Sequence, residues 1–357
     1  MPSRRDYAIT DALTMVAPGQ PLREGLDRIL QANMGGLVVV GDGPEVLAIC
    51  SGGFLLDAEF SPQRLSELAK MDGAIILAPD ASRIARANVH LVPNPNVPTS
   101  ETGTRHRTAE RVARSIAVPV ISVSEDLSVI AVYYGPIKHP LELTARLLNR
   151  ANQALQTLER YKNRLDAVAG TLTALEVENL VTVRDVVTVL QRTEMVRRIA
   201  EEVHGYIVEL GTDGRLVRLQ IEELMGGVED DRHLVIRDYL RGTEDWTLTD
   251  ALDRLAALST EDLLDLKTVA WVLHISTDAG GLDASLQPRG SRLLSRIPRL
   301  PDAVIQRVIE HFGDLPNIMR ASVEELDDVE GVGAGRAKAI KEGLSRLAES
   351  NILDRYN

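Results

Sequence analysis

The stretch Gly103-Thr104-Arg105-His106-Arg107-Thr108-Ala109-Glu110-Arg111-Val112-Ala113 opens a helix with its charge at the unfavourable end. Ala109, Val112, Ala113, Ile116 and Ala117 fall on one helical face, the spacing of an amphipathic helix laid on a core. Gly103-Thr104 supplies a turn and a capping hydroxyl before it. A helix N-terminus presents unpaired N–H groups and a partial positive charge. Two arginines and a histidine placed there oppose the dipole and complement a polyphosphate. Plain solvation of three basic residues is the alternative, and the unfavourable placement argues against it. Outward from this helix, residues 1–145 alternate short apolar runs with helical stretches. The runs predict strands over Leu37–Val40, Val46–Cys50, Ala74–Ala78, Val89–Leu91, Pro119–Val123 and Val129–Tyr134. Helices are predicted over Asp6–Val16, Pro21–Met34, Pro62–Lys70 and Thr104–Ala117. The pattern is that of an α/β sandwich with a mixed central sheet. The loop Pro93-Asn94-Pro95-Asn96-Val97-Pro98 precedes the basic helix, where a substrate lid or an interface loop would fit.

Upstream, Met71-Asp72-Gly73 leads into the apolar run Ala74-Ile75-Ile76-Leu77-Ala78. A carboxylate at a strand edge, followed by a glycine that admits a ligand to the backbone, can hold a hard divalent cation. Taken alone, an ordinary Asp-Gly turn is the simpler reading. Composition narrows the classes. A chain of 357 residues has room for two or three domains. Its net charge of −12 supplies no global field toward nucleic acid or anionic membrane, so any DNA contact must be local. The single cysteine, Cys50, excludes an internal disulfide and a cysteine-only metal cluster, and reads as a core thiol. Twelve aromatic residues are too few for a base-stacking platform. No apolar run approaches the ~18 residues of a membrane span, and no apolar segment follows Met1-Pro2-Ser3-Arg4-Arg5-Asp6. We expect a cytoplasmic protein without a membrane partner.

From Leu141 onward the pattern turns helical. Leu155, Leu158, Tyr161, Leu165, Val168, Leu172 and Leu175 recur at spacings of three and four, the buried stripe of a bundle helix, and Val183, Val186, Val187 and Leu190 resume it after a break. Residues 146–290 read as an all-α spine, with polar turns at Gly211-Thr212-Asp213-Gly214 and Met225-Gly226-Gly227. His204, His233 and His274 lack metal-ligand spacing. In the last region, 291–357, the run from Leu326 to Ile340 is a helix, a glycine hairpin Gly331-Val332-Gly333 and a second helix. It resembles the helix-hairpin-helix DNA-binding motif, with Ala337 allowing close helix packing. Glycines there let successive N–H groups face a phosphate at the start of the following helix. Arg336, Lys338 and Lys341 cluster beside the hairpin. Ile297-Pro298-Arg299-Leu300-Pro301, before Asp302–His311, looks like a degenerate first copy. This region holds ten Lys and Arg against eleven Asp and Glu, so the rest of the chain carries nearly all the negative charge. With about three or four phosphates met per tail, one tail binds weakly and with steep salt dependence, and useful affinity needs several tails in one assembly. A helical packing or protein-binding module is the alternative reading of the tail.

Asp72-Gly73-Ala74 and Arg105-His106-Arg107, in this order, are similar to the two signatures of the diadenylate cyclase domain. Gly36-Leu37-Val38-Val39-Val40-Gly41, Ser51-Gly52-Gly53-Phe54, Asn88-Val89-His90-Leu91 and Val120-Ile121-Ser122-Val123-Ser124-Glu125 support the match. With its tail, the whole chain resembles the DisA family, diadenylate cyclases ending in a helix-hairpin-helix domain. The resemblance implies condensation of two ATP into cyclic di-AMP with release of two pyrophosphates. Two equivalent 3′–5′ links in the product call for two-fold symmetry, which a face-to-face dimer supplies. It implies that Asp72 binds Mg²⁺ or Mn²⁺ and helps activate the 3′-hydroxyl, and that Arg105, His106 and Arg107 hold the triphosphate. Thr104 and Thr108 would donate to phosphate oxygens, and Gly73, Ala74, Leu91 and Ser124 would border the adenosine. It further implies a homo-octamer, a nucleoid location, and activity coupled to branched, Holliday-junction-like duplex DNA through Gly331, Val332, Gly333, Arg336, Lys338 and Lys341. Two rivals stand beside it. One is a nucleotide-sensing DNA-binding scaffold without turnover. The other is a nuclease or ligase-like enzyme, for which neither clustered carboxylates nor a nucleophilic lysine motif stands near the phosphate site.

Overall fold

A computed structural model describes residues 4–125, 128–241, 246–277 and 280–354. Helices α1 (Arg4–Met15) and α2 (Pro21–Gln31) lead into strand β1 (Gly36–Val40). Next come α3 (Pro44–Ala48), β2 (Cys50–Ser51), β3 (Phe54–Glu59), α4 (Pro62–Leu68), β4 (Ala74–Leu77) and β5 (Arg83–Leu91). Helix α5 (Thr104–Ile116) then precedes β6 (Val120–Ser124), β7 (Val129–Tyr134) and β8 (Ile137–Pro140). The strands form one sheet in the order β2-β5-β4-β1-β6-β7-β8, with β3 also on β5. β1 and β4 run parallel, Leu37 opposite Ala74 and Val40 opposite Leu77. β1 runs antiparallel to β6, and β4 to β5, so the sheet is mixed as expected.

Successive strand residues point to opposite faces, and both faces are covered. Val38, Val40, Ile75, Leu77, Ile121 and Val123 pack against Leu22, Leu26 and Ile29 of α2 and Leu65 of α4. On the other face Leu37, Val39, Ala74, Ile76 and Val120 pack against Ala109, Val112 and Ala113 of α5. The run Val46–Cys50, predicted as a strand, is mostly helix α3. Gly43 stands extended at its N-cap and Pro44 follows at the first helical position, the start signal for a helix. β3 and β8 escaped the sequence reading. β3 has no buried residue, with Leu55 71 % exposed, so it shows no alternation. β8 is a short edge strand.

The remaining chain is helical, beginning with α6 (Thr144–Glu178), α7 (Val183–Leu210), α8 (Arg215–Leu224) and α9 (Val228–Tyr239). Contacts divide the chain into two compact units. One comprises residues 2–154 and 202–220, the other residues 155–201 and 221–357. Within the first, Val208 of α7 packs on the sheet's core, the Thr212 N–H donates to the Pro18 carbonyl at 3.1 Å, and His139 Nε2 lies 2.9 Å from Glu209.

The second unit holds a buried polar network. Arg292, 2 % exposed, donates to Glu176 at 2.6 Å, and the Tyr239 hydroxyl donates to the same carboxylate at 2.7 Å. Asp238 accepts the backbone N–H groups of Ser291 and Arg292 at 2.7 and 3.0 Å. Beyond it, one arrangement occurs twice. Helix Ser291–Ser295 turns into Asp302–Phe312, and helix Val323–Asp327 turns into Gly333–Asp354. In the first turn the Ile297 N–H donates to Leu294, and Arg299 has φ +64°. In the second the Val329 N–H donates to Leu326, and Gly331 has φ +81°. The degenerate first copy seen in the sequence thus has the geometry of the second. Leu294, Ile297, Val304, Leu326, Val332, Ala337 and Ile340 share one core. Among the described residues no helix is long and apolar enough to cross a membrane.

Candidate active site

At one end of the sheet the start of β4, the end of β5, the end of β6 and the N-terminus of α5 enclose a cavity of about 940 Å³. It lies wholly within the first unit. The parallel β1–β4 pair brings Ala74 beside Leu37. The antiparallel β4–β5 and β1–β6 pairs bring Val89 beside Ala74 and Val123 beside Gly36. Asp72 and Gly73 therefore meet residues that follow them by a strand or more. Asp72, Gly73, Ala74, Leu91, Thr104, Arg105, His106, Thr108 and Ser124 all line the cavity. Arg107 does not, and its side chain is exposed. Ser51, Gly52, Gly53, Asn88 and Glu125 also line it, although the sequence assigned them no role.

Helix α5 aims its N-terminus into this space. The expected hydroxyl cap does not form. Gly103 takes the N-cap position without a side chain to offer, and Thr104 is the first helical residue. First-turn N–H groups without such a cap are a site for an anion. Two glycines shape the rest. A Cβ on Gly73 would run into the Asn88 backbone, so β4 and β5 approach this closely only with glycine there. A Cβ on Gly35 would meet the Arg105 guanidinium, so the Arg105 side chain lies directly against the Gly35 backbone and would have to move aside for a larger residue.

Asp72 is fully exposed, and Oδ1 lies 3.8 Å from Arg105 Nη2. An exposed pair at that distance contributes little and leaves both groups available. No group of three or more His, Cys, Asp or Glu that could hold a metal occurs among the described residues. One free carboxylate on a cavity wall, facing a phosphate-type site, fits a hard cation that takes its other oxygen ligands from substrate phosphates and water. It does not fit a cation held by protein alone.

His106 is anchored from behind. Its Nδ1 lies 3.0 Å from the Tyr133 hydroxyl and 3.1 Å from Ser122 Oγ. Tyr133 in turn donates to Glu101 at 3.3 Å, and Lys138 pairs with Glu101 at 2.5 Å. Burial lowers the imidazole pKa, Glu101 opposes that shift, and Lys138 and Arg105 add to it. The loop before α5 is strapped to the helix. Glu110 accepts from Thr99 Oγ1 at 2.6 Å and from the Ser100 N–H at 3.0 Å, and Arg111 donates to the Val97 carbonyl at 3.0 Å. Burial pushes the Glu110 carboxyl up, but these bonds and Arg114 outweigh it and hold its pKa below the ordinary value.

The family description "DisA bacterial checkpoint controller nucleotide-binding" matches residues 23–137, and "DisA bacterial checkpoint controller linker region" matches 141–280. The DNA integrity scanning protein DisA of Frankia alni is 57 % identical over 345 residues, 96 % of each chain. That of Kineococcus radiotolerans is 55 % identical over 358 residues, the full length of both. The chain belongs to the DisA family. The DisA nucleotide-binding region contains every residue lining the cavity. The residues singled out in the tail lie beyond both matched DisA regions, around the second turn. Gly331 and Gly333 both have positive φ, and Val332 is in the core. Arg336 donates to the Gly331 carbonyl at 2.7 Å, and Lys338 is exposed beside Glu342. Lys341 stands apart from them. Its ammonium donates to the carbonyls of Met319 and Ala321 at 2.8 and 2.6 Å, which closes the end of helix Leu315–Arg320.

Proposed function

We propose that this DisA-family protein is a diadenylate cyclase that joins two ATP into cyclic di-AMP, with its tail docking on branched duplex DNA. The observation that carries the reading is the shared cavity. Asp72 and Gly73 stand on one wall and Thr104, Arg105, His106 and Thr108 on another, around a helix N-terminus without a side-chain cap. That arrangement suits a triphosphate with a metal at its edge.

Each 3′-oxygen attacks the α-phosphorus of the other ATP. One P–O bond forms, the bond to the β-phosphate oxygen breaks, and pyrophosphate leaves with the electron pair. Two such attacks close the ring and release two pyrophosphates. Asp72 accepts the 3′-hydroxyl proton or orders the water that carries it away. With substrate phosphates, Asp72 would also hold Mg²⁺ or Mn²⁺, which supplies Lewis acidity at the phosphoryl group. Arg105 and His106 offset charge on the departing pyrophosphate. Thr104 donates to a phosphate oxygen, Thr108 does so on giving up the bond its hydroxyl donates to the Thr104 carbonyl at 2.9 Å, and Gly73, Ala74, Leu91 and Ser124 border the adenosine. Most of the acceleration comes from holding two nucleotides in line, which requires two cavities face to face. Arg107, exposed and outside its own cavity, would hold the triphosphate only if it serves the nucleotide of the facing protomer. In the tail, the N–H groups around Gly331 and Gly333 meet phosphates, supported by Arg336 and Lys338, and an oligomer presents several tails to a branched duplex.

The deciding experiment is incubation with ATP and Mn²⁺ or Mg²⁺ and mass analysis of the products. Cyclic di-AMP and pyrophosphate are expected. Binding without product would leave a nucleotide-sensing scaffold.

A further inference from the structure

The chain behind His106 carries an inference beyond the cyclase assignment, and it rests on that assignment only in taking the cavity to bind a triphosphate. Three groups converge behind the ring: Ser122 from β6, Tyr133 from β7 and Glu101 from the loop before α5. Lys138 of β8 closes the chain at Glu101. An ionised carboxylate only accepts hydrogen bonds, so the single Tyr133 proton goes to Glu101. The Tyr133 oxygen is then left as an acceptor toward Nδ1. Burial beside Glu101 raises the Tyr133 pKa far above its ordinary value, which keeps the phenol protonated and in that role.

We propose that Tyr133 and Glu101 are positioning residues that hold His106 as its Nδ1–H tautomer and let it charge on Nε2 when a triphosphate enters the cavity. With Nδ1 occupied behind, Nε2 is the ring nitrogen left for the cavity that His106 lines. In the free protein, burial, Arg105 and Lys138 disfavour the imidazolium, against the single opposing charge of Glu101. A triphosphate reverses that balance. His106 takes one proton from solvent onto the Nε2 lone pair and donates it as a hydrogen bond to a phosphate oxygen. Its Nδ1–H stays on Tyr133, and the Glu101 charge is felt through the phenol. The arrangement selects for the triphosphate over shorter nucleotides, because only the added phosphate charge makes protonation favourable.

The test uses the full chain, Mg²⁺ and the α,β-methylene analogue of ATP, which cannot be cleaved at the reacting bond. Titration calorimetry in two buffers of different ionisation enthalpy reads proton uptake. It is run near pH 7.5, above the second phosphate ionisation at about 6, so that uptake belongs to the protein. The wild type is expected to take up a fraction of a proton with the analogue and none with AMP. His106→Gln removes the uptake. Glu101→Gln keeps the shape and removes the charge, and Tyr133→Phe cuts the chain at its middle. Each is expected to lower the uptake and weaken analogue binding by roughly 3–10-fold, the effect of one networked hydrogen bond. Melting curves show whether each variant is folded, and Glu101→Gln alone decides if Tyr133→Phe is not. Analogue binding without uptake, or uptake unchanged in Glu101→Gln, would overturn the proposal. Absence of any analogue binding by the wild type would overturn the nucleotide assignment instead.

Discussion

Asp72 and Arg105 face each other across 3.8 Å and stand in different positions energetically. Asp72 is fully exposed and supports no packing, so Asp72→Asn should leave the melting temperature essentially that of wild type. It should lower cyclic di-AMP synthesis by about 10³-fold or more, as lost charge stabilisation of about 4 kcal/mol implies. Normal turnover in a folded Asp72→Asn protein would remove Asp72 from the chemistry. Arg105→Ala should weaken ATP binding about 10–100-fold, the effect of one lost charge-assisted contact, and leave AMP almost unaffected. Equal loss for both nucleotides would mean that Arg105 contacts only the α-phosphate or shapes the wall beside Gly35. The Asp-Gly pair and the Arg-His-Arg turn were legible because their residue types are unusual where they stand. The network behind His106 was not. Tyr133 and Ser122 are ordinary strand residues, and only the β6–β7 pairing brings Ala131 opposite Ser122 and sets Tyr133 on the same face.

The elements add two tests. The loop after β5 is held on α5 through Glu110, whose carboxyl titrates below its ordinary range. A depressed carboxyl contributes stability that is present above its unfolded-state value and is lost as pH falls through the folded-state value. The protein should therefore soften in acid below about pH 4.5, the ordinary carboxyl range, and Glu110→Gln should flatten that part of a melting-temperature series. An identical acid limb in the variant would place the titrating group elsewhere. In the tail, the two lysines beside the second turn should separate. Lys341→Ala removes two bonds to helix-end carbonyls and should cost about 1.5–3 kcal/mol of stability, without changing the salt slope of DNA binding. Lys338→Ala should leave stability within ~0.5 kcal/mol and reduce that slope by roughly one. The sequence grouped these lysines by proximity to the hairpin. Helix phase and the end of a neighbouring helix divide them. The same limit explains α3, where an apolar run of strand length followed a Gly-Pro start signal whose weight shows only in the folded chain.

For the whole molecule, the start of the tail is part of the spine's interior. Arg292 neutralises Glu176, and the Ser291 and Arg292 N–H groups satisfy Asp238. A chain ended at residue 290 would leave two buried carboxylates without those partners. Breaking a buried pair in this way costs about 3–5 kcal/mol. Such a truncation should therefore melt lower in its helical unit, and loss of DNA binding by it would not isolate the hairpin. A chain melting like wild type would show that the network is dispensable. The two-fold mechanism has its own test at this scale. If wild-type and Asp72→Asn chains mix freely in assemblies, and each Asp72 serves one attack, a mixed pair makes only the first link. Cyclic product should fall with the square of the wild-type fraction, and linear dinucleotide triphosphate should accumulate. A linear fall without that intermediate would mean that each chain cyclises its own substrates.

By itself the sequence determined the α/β class and mixed sheet of the first region, the helical character of the rest, the family signatures, and about half of the residues that line the cavity. These are written in local pattern: apolar periodicity, glycine placement, and basic residues at a helix start. Tertiary structure alone decided that Arg107 leaves its own cavity and that Lys341 closes a helix. It also decided that Tyr133 and Glu101 stand behind His106, and that residues 202–220 pack with the first unit. The physical reason is range. A helix face or a strand run is set by neighbours a few residues apart. A hydrogen-bond partner is set by strand register and helix phase, which no short stretch of the chain contains.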